Sequence, residues 1–207
     1  MSTGIRMGEY GSYIGSTYNS SASLNLTKMK MNADYIYKAL GLDDGWTINA
    51  VAGFLGNVQH ESTINPGRWE GDVVGRTGKG YGLVQWTPAT KYINWLLVGS
   101  DPSTMDNNLK RIRYELAHPS VQWRKTNAYP LSFKQFTQST QTPEYLASCW
   151  LKNYERAGIA AEARRRRYAR YWFEYLGGIT PPPTPSEQKK IKRFPFVLYA
   201  RKLRNWQ

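Results

Sequence analysis

The chain has 207 residues, with 28 Lys and Arg against 15 Asp and Glu, one cysteine and two histidines. Its net charge of +13 suits a protein that meets polyanions such as teichoic acids, anionic lipids or nucleic acid. A single cysteine excludes an intrachain disulfide, and with only His60 and His118 a zinc site rich in nitrogen or sulfur has little support, so neither metal nor cofactor is expected.

Residues 1–29 are rich in Gly, Ser, Thr, Asn and Tyr and contain no apolar run of signal-peptide length; no transmembrane span appears anywhere in the sequence. They read as a flexible arm, with Tyr10, Tyr13 and Tyr18 available to order against a partner. Residues 30–178 read as one mixed domain, long enough to bury a core without covalent staples. Asn32 is expected to cap a helix over 33–40, stopped by Gly41. Thr47 caps the next, in which Ile48, Val51, Leu55 and Val58 recur at helical spacing. Gly53 and Gly56 each cost this helix about 1 kcal/mol against Ala, which implies close approach of another backbone or a ligand. After Asn65-Pro66-Gly67, residues 68–74 and 81–86 read as two strands of a small hairpin joined by a glycine-rich turn.

Further helices are expected from Thr87-Pro88 through Leu97, around Leu109, Ile112 and Leu116 as far as His118-Pro119, from Ser132, over 145–153 after Thr142-Pro143, and over 160–176. Arg164 to Arg167 go round the last of these and read mostly as a solvated face, and Cys149 reads as buried packing. Residues 179–187, with Pro181-Pro182-Pro183 and Pro185, form a stiff linker. Residues 188–207 carry seven basic side chains and no acidic ones, with Phe196, Ala200, Leu203 and Trp206 near helical spacing. Such a tail suits an anionic membrane, DNA or a groove on another protein.

The stretch with most chemical content is Asn57-Val58-Gln59-His60-Glu61-Ser62. Glu61 lies roughly 60° around the helix from Val58, at the edge of the apolar stripe and at the C-terminal end. Partial burial and the negative helix terminus both disfavour its charge, the environment a general acid requires. The hairpin would wall a cleft above it. Trp69, Tyr81 and Trp86 offer flat faces for pyranose rings. Glycoside hydrolysis needs a second carboxyl, for which Asp72, or Glu70 in its place, is the candidate.

Three ordered motifs resemble the phage tail lysozyme family: residues 56–66 (GNVQHESTINP), residues 80–87 (GYGLVQWT) and residues 153–158 (NYERAG). The similarity spans about residues 31–177, and more distantly the same order is similar to lytic transglycosylases and goose-type lysozymes. The resemblance implies an α+β, mainly helical lysozyme-like domain with a β-hairpin beside the active-site cleft. It also implies that Glu61 is the catalytic acid and that Tyr81, Gln85 and Tyr154 lie along a glycan groove. The function expected is cleavage of peptidoglycan glycan by a phage virion component, with other virion proteins as partners. A structural or DNA-associated protein keeping an unused lysozyme fold is the alternative.

Overall fold

The computed structural model describes residues 23–156 and 161–178. Most of the N-terminal arm, the proline-rich linker and the basic tail, together with Ala157 and Gly158 of the third motif, lie outside the described residues.

Helix α1 (Leu26–Ile36) starts earlier than the sequence suggests, because the Asn25 side chain accepts from the Lys28 N–H at 3.0 Å and so caps the first turn. Asn32, expected as the cap, is instead buried mid-helix and donates to the Ile64 carbonyl at 2.7 Å. The helix continues as a π-helical turn over Tyr37–Asp43. Just before α1, the Leu24 N–H donates to Thr63 Oγ1 at 2.8 Å and Arg68 Nη1 donates to Ser23 Oγ at 2.6 Å. The incoming chain is thereby strapped to the point where the next helix ends.

That helix, α2 (Ile48–Ser62), is the centre of the domain. Thr47 caps it as expected, accepting from the Ala50 N–H at 3.1 Å. It is buried against α6 (Pro143–Trp150) and α7 (Glu162–Tyr175). The two glycines explain how closely these helices approach. A Cβ on Gly53 would fall 2.7 Å from Leu146 Cβ, and one on Gly56 would fall 2.5 Å from the Arg165 carbonyl oxygen and 2.8 Å from Ala169 Cβ. The glycines therefore admit neighbouring helices rather than a ligand. Around the N-terminal half of α2, Trp46, Phe54, Phe133, Phe136 and Trp150 pack edge to face or tilted, with ring centroids 4.7–6.5 Å apart.

The remaining helices are shorter. Residues 87–97, expected to be helical throughout, form only α3 (Thr90–Ile93): the Thr87 hydroxyl turns back to donate to the Gln85 carbonyl at 2.9 Å instead of capping. Helix α4 (Met105–Ala117) is capped by Thr104, and α5 (Phe133–Thr137) by a reciprocal Ser132–Gln135 box. Helix α6 opens on Pro143 and runs into a second π-helical turn, Leu151–Glu155.

The expected β-hairpin is not found. Among the described residues the pairing consists of two isolated antiparallel bridges, Trp69 with Tyr81 and Tyr81 with Trp86. Gly71 and Asp72 take φ of 68° and 60°, which a pleated strand cannot accommodate, so Glu70–Asp72 closes a 3₁₀ turn. Gly82 and Gln85, at 84° and 53°, fold the second segment into a tight turn as well. Glu70 and Asp72, expected on a strand, therefore lie in a turn. No helix among the described residues is long and apolar enough to cross a membrane.

Candidate active site

Helix α2 ends at Ser62 and the chain leaves it through Thr63 and Ile64, both left-handed at φ 54° and 55°. This abrupt exit leaves Glu61 on the wall of a cleft of about 460 Å³, which also takes in Glu70, Gln85, Trp86, Tyr154 and Glu155. The Glu61 side chain is 20% exposed.

A residue that the sequence reading assigned to solvent governs this carboxyl. Because Gly56 lets α7 approach, Arg165 enters the core with only 3% of its side chain exposed, and its Nη2 pairs with Glu61 Oε1. Arg165 Nη1 donates to Asn57 Oδ1 at 3.0 Å. Asn57 is held in turn by donating to the carbonyls of Gly53 and Ala147, each at 3.0 Å. Arg164, Arg166 and Arg167 are exposed, as expected of the run. The signal that singles out the fourth is the buried stripe Arg165, Ala169, Trp172 and Phe173, spaced as one helix face. Where the sequence placed Glu61 against apolar surface and a helix terminus alone, the structure places a guanidinium.

Glu155 is the second carboxyl that sequence reasoning passed over, although it stands in the third motif. It ends the π-helical turn after α6, half-buried, and accepts from Trp150 Nε1 at 3.0 Å. Burial and then the Glu61 charge push its carboxyl up to about 8, against the smaller opposing effects of the Trp150 hydrogen bond and Arg165.

Behind the cleft, Glu115 of α4 is almost wholly buried and accepts from three sides. Trp86 Nε1 donates at 3.0 Å, Arg111 Nε at 2.9 Å, and the Tyr154 hydroxyl supplies the third bond. Arg111 lies over the rings of Trp95 and Tyr114, 5.0 and 5.2 Å from their centroids. Burial outweighs these partners and raises the Glu115 carboxyl. One carboxyl thus ties Trp86, on the looped wall, to Tyr154, on the helical wall.

The other sequence-predicted residues divide. Gln85 is in the cleft, where its Nε2 donates to the carbonyls of Arg68 and Gly82 at 3.1 and 2.8 Å. Trp86 and Tyr154 are also in its lining. Trp69 and Tyr81 are fully buried with ring centroids 4.4 Å apart, which removes them from the cleft walls. Glu70 lines the cleft, accepting from the Gly80 N–H at 2.7 Å with Lys79 at 3.9 Å. Asp72 lies outside that lining, 52% exposed and paired with Arg68 at 2.9 Å. Its short side chain, turned by a left-handed backbone, points to a partner four residues back. Cys149 is buried as expected, and burial pushes its thiol up to about 12, which makes it unreactive. His60 is half-buried and shifted below its ordinary value by burial and then by Arg165.

The family model described as phage tail lysozyme matches residues 31–176. "Morphogenesis protein 1" of Bacillus phage B103 is 46% identical over 162 residues, covering 78% of this chain. The chain spans only 43% of that relative's length. With the family model matching most of its length, the chain belongs to the phage tail lysozyme family.

Proposed function

We propose that this chain cleaves the glycan strands of peptidoglycan at MurNAc–GlcNAc bonds by general acid catalysis, as a component of a phage virion that opens the cell wall. The observation that carries this reading is Glu61, a carboxyl fixed by Arg165 in a cleft that also holds Gln85, Trp86 and Tyr154. Glu61 protonates the glycosidic oxygen as the C1–O bond breaks. Of the two carboxylates in the 70–72 turn, Glu70 is the one in the cleft wall, so Glu70 rather than Asp72 is the second carboxyl and activates water. If no base engages, the substrate's own acetamido group assists and an anhydro sugar results, as in a lytic transglycosylase. A position on the phage tail, with other virion proteins as partners, belongs to the same reading. So does a contact of residues 188–207 with DNA or an anionic membrane.

A second reading is favoured by one observation: the relative in phage B103 is named for morphogenesis. On that reading the chain is a structural component retaining an unused lysozyme fold. Peptidoglycan digestion by the purified protein and its Glu61→Gln variant separates the two. Glycan fragments released by wild type, and reduced about 10²- to 10⁴-fold in the variant, support the enzyme. Reducing ends indicate hydrolysis and anhydro ends indicate transglycosylation. No release by either protein puts the structural reading first.

A further inference from the structure

Three carboxyls line the cleft, and their partners differ. Glu61 is committed to Arg165. Glu70 is committed to the Gly80 N–H, with Lys79 beside it. Glu155 has a neutral indole on one oxygen and, among the described residues, no cation within ion-pairing distance. A general acid needs a proton, and the residue that resemblance makes the acid is the one drawn up against a guanidinium.

We propose that Glu155 acts through Glu61, supplying the proton that Glu61 delivers to the glycosidic oxygen, while Arg165 faces whichever of the two carboxyls is charged. This rests on the glycan-cleaving reading above. The two side chains share the cleft, and Arg165 acts on both: it pairs with Glu61 directly and its charge is felt at Glu155. Arg165 is fixed by Asn57 and by burial, so its charge stays in place whichever carboxyl balances it.

The proton count closes over one turnover. The Glu155 O–H bond breaks as a cleft water takes its proton, and that water gives one of its own to Glu61, forming a Glu61 O–H bond. That second O–H bond breaks as the glycosidic oxygen takes the proton and the C1–O electron pair. Water then adds at C1 and loses one proton to Glu70, which releases it to solvent as Glu155 takes one back. Two carboxyls near one guanidinium carry a single proton at rest, as expected of like charges sharing a site. The groups facing Glu155 from the packed elements are Glu61 on α2, Arg165 on α7 and Glu115 on α4, with the Tyr154 phenol beside it in the same turn. The first and third of these favour its protonated form and the second opposes it.

The test is Glu155→Gln in the full chain, with Glu155→Asp as the conservative variant and circular dichroism to verify folding. Digestion of peptidoglycan is followed from pH 5 to 10. Wild type is expected to lose kcat as pH rises through about 8. Glu155→Gln should fall about 100-fold in kcat with little change in KM and lose that alkaline limb, and Glu155→Asp should restore part of both. Infrared spectra at pH 7 provide a readout independent of activity: wild type carries a protonated-carboxyl band that Glu155→Gln lacks and that Glu61→Gln weakens, because the Glu61 charge is gone and Arg165 is left to Glu155. Folded Glu155→Gln with kcat within threefold of an active wild type overturns the inference alone. An inactive wild type overturns the glycan-cleaving reading, and the inference with it.

Discussion

The two walls of the cleft are built differently. The helical wall, formed by the end of α2, the turn after α6 and one face of α7, is packed so closely that two glycines are required where the helices meet. Its carboxyls, Glu61 and Glu155, are held by side chains that are themselves fixed. The looped wall, residues 65–89, has two isolated bridges in place of a ladder and several residues with positive φ. Its carboxyls, Glu70 and Asp72, are tied by pairs about half open to solvent. Precise chemistry belongs on the first wall, where burial strengthens each electrostatic contact. The second is suited to shaping the groove. Glu115 is the joint between them.

The largest test of this contrast is at the joint. Glu115→Leu removes the acceptor for Trp86 and Tyr154 and leaves Arg111 buried without its carboxylate. Chemical denaturation should show a loss of about 3–5 kcal/mol, and a loss below 1 kcal/mol would mean that the walls hold their spacing without it. Next is Gly56→Ala. The added methyl would press on the Arg165 carbonyl, which is backbone and cannot swing away. A loss of about 1–3 kcal/mol in urea melts is expected, with glycan cleavage reduced further than stability alone explains, because Arg165 carries Glu61 with it. Unchanged stability would show that α7 has slack. The smallest effect is expected from Asp72→Asn on the looped wall: less than about 1 kcal/mol and activity within twofold of wild type. A loss of activity comparable to that of Glu61→Gln would return Asp72 to the catalytic pair and upset the division between the walls.

What the sequence made legible follows the same division. Helices with a side-chain cap and an apolar stripe, such as α2 from Thr47 and α5 from Ser132, could be read because their signals are local. The hairpin could not. Alternating residues in 68–74 and 81–86 have strand character, yet left-handed backbone at Gly71, Asp72, Gly82 and Gln85 outweighs it, and nothing in the side chains of Asp72 or Gln85 announces that. Gly53 and Gly56 were recognisable as close-approach positions, but their partners, α6 and α7, come from about a hundred residues downstream. Arg165 was hidden among three exposed neighbours, and only the phase of the apolar residues on α7 distinguishes it. Glu61 and Gln85 were found in the cleft because the motifs carry them. Glu155 was overlooked although the third motif contains it; what sets it apart is its packing against Trp150, with no ion pair to it among the described residues.

The strap at the start of the domain has a mechanical consequence. Leu24 and Ser23 are bonded to Thr63 and Arg68, residues that follow directly on Glu61 and its helix. Tension applied to the segment preceding Leu24 would therefore be delivered at the exit of α2 before it reached the core. An assembly that grips the chain there has a lever two residues from the carboxyl, and a fusion partner placed at that end would be felt in the cleft sooner than one attached beyond α7.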